Sequence, residues 1–246
     1  MCIRDSSGFR SRELTEGGGN AAAGRSNHLV LDDTPDRIQA QLKSDHQCSV
    51  LSLGRFARIE DHAGRKEERG EGFELRTDGH GVLRAARGML ITTEARPNAA
   101  NHALDMGETT ARLAGAQEQH DMLAEAALAA RAQDAGDDQA RVARALAAQN
   151  DAIRGGPGDP PAGRFLELRA AQLALASAAG IAATTPGSLH LQAGGPLALT
   201  SEGPASFSAL RRLLVAAREG VRLFALRHGM RWVAASGAVR LEARAG

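Results

Sequence analysis

The spacing of hydrophobic and polar residues changes twice along this chain, and each change predicts a change of structure. From 27 to 104 the apolar runs are short and broken by glycines or turn residues. Leu29-Val30-Leu31 predicts a strand. Asp32-Asp33-Thr34-Pro35-Asp36 predicts a turn, because aspartate side chains bond the nearby backbone and Pro35 fixes its own φ. Residues 37–43 alternate polar and apolar, the pattern of a half-buried strand. Residues 50–53 predict another strand, ended by Gly54, and the charged, glycine-flanked stretch 62–71 predicts an exposed loop. Between Gly70 and Glu94 three short segments, 73–77, 82–86 and 89–93, are cut by glycines and read as strands.

The rhythm turns helical between 105 and 156. Asp105-Met106-Gly107-Glu108 has capping-box spacing with Asp105 as the cap. Good helix formers follow to about Gln133, with Leu113, Gln117, His120, Leu123 and Ala127 on one stripe and Ala116 and Ala124 beside it. Asp137 or Asp138 caps a second helix carrying Val142, Leu146 and Ile153, and Gly155-Gly156-Pro157 stops it. A helical hairpin between two β regions is the prediction.

From 157 to 246 strands return. Gly180, Gly187, Gly195 and Gly203 are seven, eight and eight residues apart, and Gly220, Gly229 and Gly237 nine and eight. Between them lie Leu189-His190-Leu191, Leu197-Ala198-Leu199, Val221-Arg222-Leu223, Met230-Arg231-Trp232 and Val239-Arg240-Leu241, each apolar, variable, apolar. A period near eight predicts a solenoid-like β stack. Such a unit is too short to wind once around a filled single-chain core. The glycine-rich stretch 17–24 reads as a flexible linker within a disordered segment 1–26.

Composition narrows the function. Of 246 residues, 30 are basic and 29 acidic, which gives no global pull toward nucleic acid or anionic lipid. Aromatics make up 3%, so no platform exists for stacking bases, and the core is expected to be thin. Cys2 and Cys48 form neither a zinc knuckle nor a disulfide framework. No apolar run reaches membrane-spanning length, and the N-terminus lacks a signal-peptide core. Nucleic acid and stable membrane insertion are therefore not expected.

Two blocks and the glycine-cut stretch carry a family resemblance. Asn27-His28-Leu29-Val30-Leu31-Asp32-Asp33-Thr34-Pro35, Gln41-Leu42-Lys43-Ser44-Asp45-His46 and residues 70–94 together resemble the C-terminal half of VgrG proteins, the spike proteins of bacterial type VI secretion systems. Weaker likeness runs through Met106-Gly107-Glu108-Thr109-Thr110, Ala148-Gln149-Asn150-Asp151 and Val233-Ala234-Ala235-Ser236-Gly237. It begins near Gly8, so Met1 to Ser6 reads as a gene-assembly remnant and the chain as a fragment lacking the family's N-terminal base. The resemblance implies a mainly β, elongated β-prism or β-helix-like shaft with an α-helical hairpin insertion. It implies a homotrimer, three chains intertwined with one face each per repeat. The implied function is a non-catalytic puncturing spike that carries effectors. Its implied partners are tube proteins, PAAR-type tip proteins and effectors. It would be made in the cytoplasm and exported through the apparatus without a signal peptide. Leu223, Trp232, Val233 and Leu241 are the residues expected in core packing or on the trimer axis. The alternatives are a β-solenoid adhesin or binding module, and an effector enzyme fused to a spike.

The remaining chemistry is sparse, and no cofactor is expected. Asp45-His46, Asp61-His62 and Asp78-Gly79-His80 hold metal-ligand types but read as polar turns. Asp32-Asp33 lacks a partner acid or base, and Ser236 lacks a nucleophile frame. Arg211, Arg212, Arg218, Arg222, Arg227, Arg231, Arg240 and Arg244 read as the solvated side of strands, where arginine also guards edges.

Overall fold

The computed structural model describes residues 6–22, 24–60, 64–134, 139–156 and 167–244. They divide into two compact units, Met1–Leu83 and Arg84–Gly246. The fold is mainly β with two helices.

The first unit is a five-stranded antiparallel meander, β1 (Ser6–Arg10), β2 (Asn27–Asp32), β3 (Gln39–Ser44), β4 (Ser49–Glu60) and β5 (Gly64–Arg76), in chain order. Two expectations are corrected here. Ser6–Arg10 is a strand rather than part of a disordered linker, because its backbone pairs with β2 from Ser6 opposite Asp32 to Arg10 opposite His28. The glycine stretch after it also turns back on itself, with Leu14 bridged to Asn20. The charged stretch expected to be a loop lies, from Gly64 on, inside β5. Its charges are satisfied across strands: Arg58 Nε donates to Glu67 at 2.8 Å, and Arg37 pairs with Glu68 at 3.3 Å. Gly54 sits at φ +92°, and a Cβ there would run into the Ile38 carbonyl, so the β3–β4 crossing admits only glycine.

The second unit begins with β6 (Met89–Thr92) and leaves for α1 (Gly107–Ala129) and α2 (Gln139–Arg154). It then returns to β7 (Leu173–Ala176), which lies parallel to β6. Residues 82–86, expected as a strand, have no ladder partner among the described residues and lead into a turn. Gly88 lies where the two strand entries meet. Its φ is +110°, and a Cβ would stand 2.8 Å from Leu168 Cδ1 and 2.9 Å from the Gln172 carbonyl oxygen. Asp105, expected as the cap of α1, stands one residue too early: the N-cap is Met106, which makes no side-chain cap bond, and Asp105 Oδ1 accepts from the Gly107 N–H at 3.1 Å. The capping box is incomplete, because Glu108 is held instead by Arg96 Nη2 at 2.7 Å. Gly155, at φ +77°, ends α2. Asp137 and Asp138, the expected caps of α2, lie outside the described residues.

The helices pack on small side chains. Ala124, Ala127 and Ala143 are buried, as is His120. Asn150 ties α2 to the first turn of α1 through a bond from Nδ2 to the Thr110 carbonyl at 3.3 Å. At the base of the hairpin Met106, Ile153, Leu168 and Ala174 form a small apolar core, with Leu90, Leu104 and Leu113 packed on it. Ile153→Ala is expected to destabilise the helical region by about 2–4 kcal/mol, because the cavity has few neighbours able to close it. Urea unfolding followed by helical circular dichroism checks this. A loss under about 1 kcal/mol would show that the base does not hold the helices.

Candidate assembly surface

Both units turn apolar side chains outward. In the first unit the register aligns Phe9, Leu29, Leu42, Leu51 and Leu75 in one row across all five strands. A second row holds Leu31, Ala40, Leu53 and Phe73. Leu51 and Ala40 are half-buried and the other members of both rows are exposed. Among the described residues, the buried side chains of this unit are Val50, Phe56 and Ala57 together with a polar set. His28 Nε2 meets Gln41 Oε1 at 3.0 Å, and Gln41 Nε2 donates to Ser52 Oγ at 3.2 Å. Gln39 accepts the Ala57 N–H at 2.9 Å, and Arg65 donates to Asp32 Oδ2 at 2.8 Å. Alternation along β2 and β3 is as expected for strands, but the leucines are on the wet side.

In the second unit the chain after β7 bends at 178–179, 186–187, 194–195, 202–203, 210–211 and 218–219, an eight-residue period, then more widely at 226–228 and 235–237. Hydroxyls in phase with the period hold several corners. Ser177 Oγ accepts from Gly180 N–H at 3.1 Å, Thr185 Oγ1 from Gly187 N–H at 3.0 Å and Ser201 Oγ from Gly203 N–H at 3.2 Å. The segments between corners, expected as strands, form no ladder within the chain among the described residues. A strand needs a hydrogen-bonded neighbour, and the next unit of the same chain does not supply one. Their apolar positions stand open: Leu223 is 57% exposed, Val233 68%, Trp232 69% and Leu241 94%. The hairpin touches this region. His120 Nε2 lies 2.9 Å from Thr200 Oγ1, Gln119 donates to the Ser201 carbonyl at 3.0 Å, and Arg222 pairs with Asp134 at 3.1 Å. Leu223 also lines a cavity of about 970 Å³ with Leu123, Val142 and Leu197.

Polar candidates resolve into structural pairs. Asp45 accepts from the Ser26 hydroxyl at 2.7 Å and its amide at 3.0 Å, and meets Lys43 at 3.0 Å. His46 Nδ1 contacts Arg25 at 2.7 Å, and Asp78 pairs with Arg76 at 2.9 Å. Asp61 and His62 lie outside the described residues. Asp32 accepts from Thr34 N–H at 3.0 Å besides Arg65. Its burial alone would raise the carboxyl pKa, but bonds from Thr34 and Arg65 outweigh this and hold it below the ordinary aspartate value. Ser236 sits in the bend 235–237. No group of three or more His, Cys, Asp or Glu able to hold a metal occurs among the described residues. No helix described is long and apolar enough to cross a membrane.

Short strands, eight-residue corners and open apolar positions, with two helices set between strands, define a mainly β protein. Its relatives are specific. The family described as type VI secretion system Rhs element Vgr matches residues 19–127, and an uncharacterised protein family conserved in bacteria, DUF2345, matches 161–246. Over 94 residues, 38% of this chain, the sequence is 46% identical to the type VI secretion system spike protein VgrG2b of Pseudomonas aeruginosa PAO1. Over 83 residues, 34% of the chain, it is 48% identical to the spike protein VgrG2a of the same strain. The matched stretches span 9% and 10% of those relatives. A solved VgrG spike from the type 6 secretion system superposes with a TM-score of 0.71 at 26% identity, over 95% of this chain and 78% of that one. A VgrG spike solved with the Tle1 effector bound gives a TM-score of 0.73 at 26% identity, over 95% of this chain and 63% of that one. Over these stretches the chain is similar to VgrG spike proteins of type VI secretion systems.

The pairing that stands in place of a metal site has a pH signature. The Ser26 hydroxyl, with its amide and Lys43, holds the Asp45 carboxyl at about 2, against the opposing effect of burial. The ordinary value is near 4. The folded state therefore favours the charged form. Its contribution is complete above about pH 4 and is lost as pH falls toward 2. Asp45→Asn is expected to lower stability at neutral pH and to flatten the acid loss across that window, read by denaturant midpoints at several pH values. An unchanged acid profile in the variant would remove this pair from the account.

Proposed function

We propose that this chain forms part of a type VI secretion spike: a non-catalytic, stiff β shaft, exported with the contractile apparatus, that punctures and carries effectors. In this reading 27–104 and 157–246 are parts of one shaft, interrupted by the hairpin 105–156. Three copies intertwine as a prism, each supplying one face per repeat. Tube and PAAR-type tip proteins are its neighbours along the apparatus. The observation that carries the reading is the run from 178 to 244. It keeps an eight-residue corner period as far as 219 and a wider one beyond, yet among the described residues its units have no in-chain ladder and leave Leu189, Leu197, Leu223, Trp232, Val233 and Leu241 exposed. Peptide groups and leucines of this kind need partners from elsewhere. Copies of the same chain carry strands of the same length and pattern. Carriage of an effector is supported by the relative solved with Tle1 bound.

Leu223, Trp232, Val233 and Leu241 take the packing role at the axis. The purified chain is expected to show three times the single-chain mass by light scattering. Leu223→Asp is expected to lower the trimer fraction at least tenfold, because a carboxylate on a desolvated axis costs more than a lost leucine. A wild-type monomer, or a variant that stays fully trimeric, would sink the prism.

A further inference from the structure

The second unit contains a strand pair made by one chain. β6 and β7 run parallel, with Met89 opposite Leu173 and Thr92 opposite Ala176, so the partners are 84 residues apart. Pairing extends past both ends: the Met89 N–H donates to the Gln172 carbonyl at 2.8 Å and the Thr93 N–H to the Ala176 carbonyl at 3.3 Å. The corners match too. Thr93 Oγ1 donates to Ser177 Oγ at 2.9 Å and accepts from the Ala178 N–H at 3.1 Å. Ser177 is the residue from which the downstream eight-residue corners are counted. After its helical excursion the chain is therefore back beside its own previous strand, corner beside corner.

Connection length accounts for this. Parallel neighbours need a crossover of a dozen or more residues. An eight-residue unit cannot make one, and the units after 178 form no in-chain ladder among the described residues. The excursion through α1 and α2 supplies a crossover of ample length.

We propose that β6–β7 is a step of the shaft at which a copy stacks on itself, and that the two open edges of this pair are seats for strands of neighbouring copies. This rests on the intertwined reading above. The sheet has two strands among the described residues, so each strand keeps an unpaired outer edge. Those edges are unguarded: Met-Leu-Ile-Thr and Leu-Ala-Leu-Ala contain neither charge nor proline. The pair is also supported before any partner arrives. A lone two-stranded pair is marginal in water, but Leu90 and Ala174 pack on the core at the base of the helices. Ile91 and Leu175 remain exposed. A parallel strand of about four residues with apolar-variable-apolar pattern fits such an edge, and 197–199, 221–223 and 239–241 have that pattern in every copy.

The test uses the full chain with Cys2→Ser and Cys48→Ser. Ile91→Cys and Leu175→Cys are joined by a short bis-maleimide, and the products are resolved on a denaturing gel and by mass. The expected product is a link within one chain, at single-chain mass, from a sample that light scattering shows as an oligomer. Links between chains, or none, would overturn self-stacking. The edge is tested by Thr92→Pro in the same background. Residues 89 and 93 donate inward to β7, so the N–H of Thr92 points to the outer edge. The in-chain link is expected to persist while the oligomeric mass falls. A Thr92→Pro protein that links within the chain and stays fully oligomeric would overturn the seat. A monomeric protein before substitution would sink the intertwined shaft and the seats with it, while the position of the link would still decide whether the chain stacks on itself.

Discussion

Main-chain amides and carbonyls taken out of water need partners, and along this chain the supply of partners is uneven. In the first unit, successive strands provide them through a simple antiparallel meander. In the helices each turn provides for the next. Beyond β7 the chain bends at intervals of eight residues and then more widely, and among the described residues it forms no strand ladder with itself. The position of the apolar side chains and the small size of the in-chain core go with that change, and the proposed intertwined shaft would supply the missing partners from other copies.

Side-chain energetics point the same way. The described ion pairs are mostly exposed, as with Arg58–Glu67 and Arg37–Glu68, and pairs of that kind contribute about 0–1 kcal/mol each. Burying one leucine contributes about 1.5–3 kcal/mol. Rows such as Phe9, Leu29, Leu42 and Leu75, exposed in the single chain, would outweigh the surrounding charges if the proposed assembly covered them. Inside the first unit, the space that leucines would fill in an ordinary small barrel is held by His28, Gln39, Gln41, Ser52 and Asp32, which satisfy one another and the backbone. A largely polar interior whose groups bond to one another tolerates an apolar exterior.

The helices were the most legible part of the sequence. Their stripe and the Gly155 stop each depend on residues a few positions apart, and local spacing reports such features directly. Strand β5 was obscured because Arg65, Lys66, Glu67, Glu68 and Arg69 look like a solvated loop until their cross-strand partners are known. Alternation along β2 and β3 showed which residues share a face but not which face is wet. The corner period was legible through glycines, although 210–211 bends without one. The β6–β7 pair was missed because its partners lie 84 residues apart. The available signal was the hydroxyl at Thr93 and at Ser177, each closing an apolar four-residue strand. At the assembly surface, the apolar period marked Leu223, Trp232, Val233 and Leu241, but nothing within one chain shows what covers them.

The outward leucine rows also bear on how such a chain matures in a cell. In the proposed assembly, a freshly made copy would display apolar sheet faces until others arrive, and its maturation would then be tied to encounter frequency as well as to its own sequence. Synthesis in bursts, or from neighbouring ribosomes on one message, would shorten the interval in which a solitary copy is open to aggregation or proteolysis. Dosage thus becomes a structural variable: below a threshold of supply, a chain with no coding defect would still fail to reach its working form.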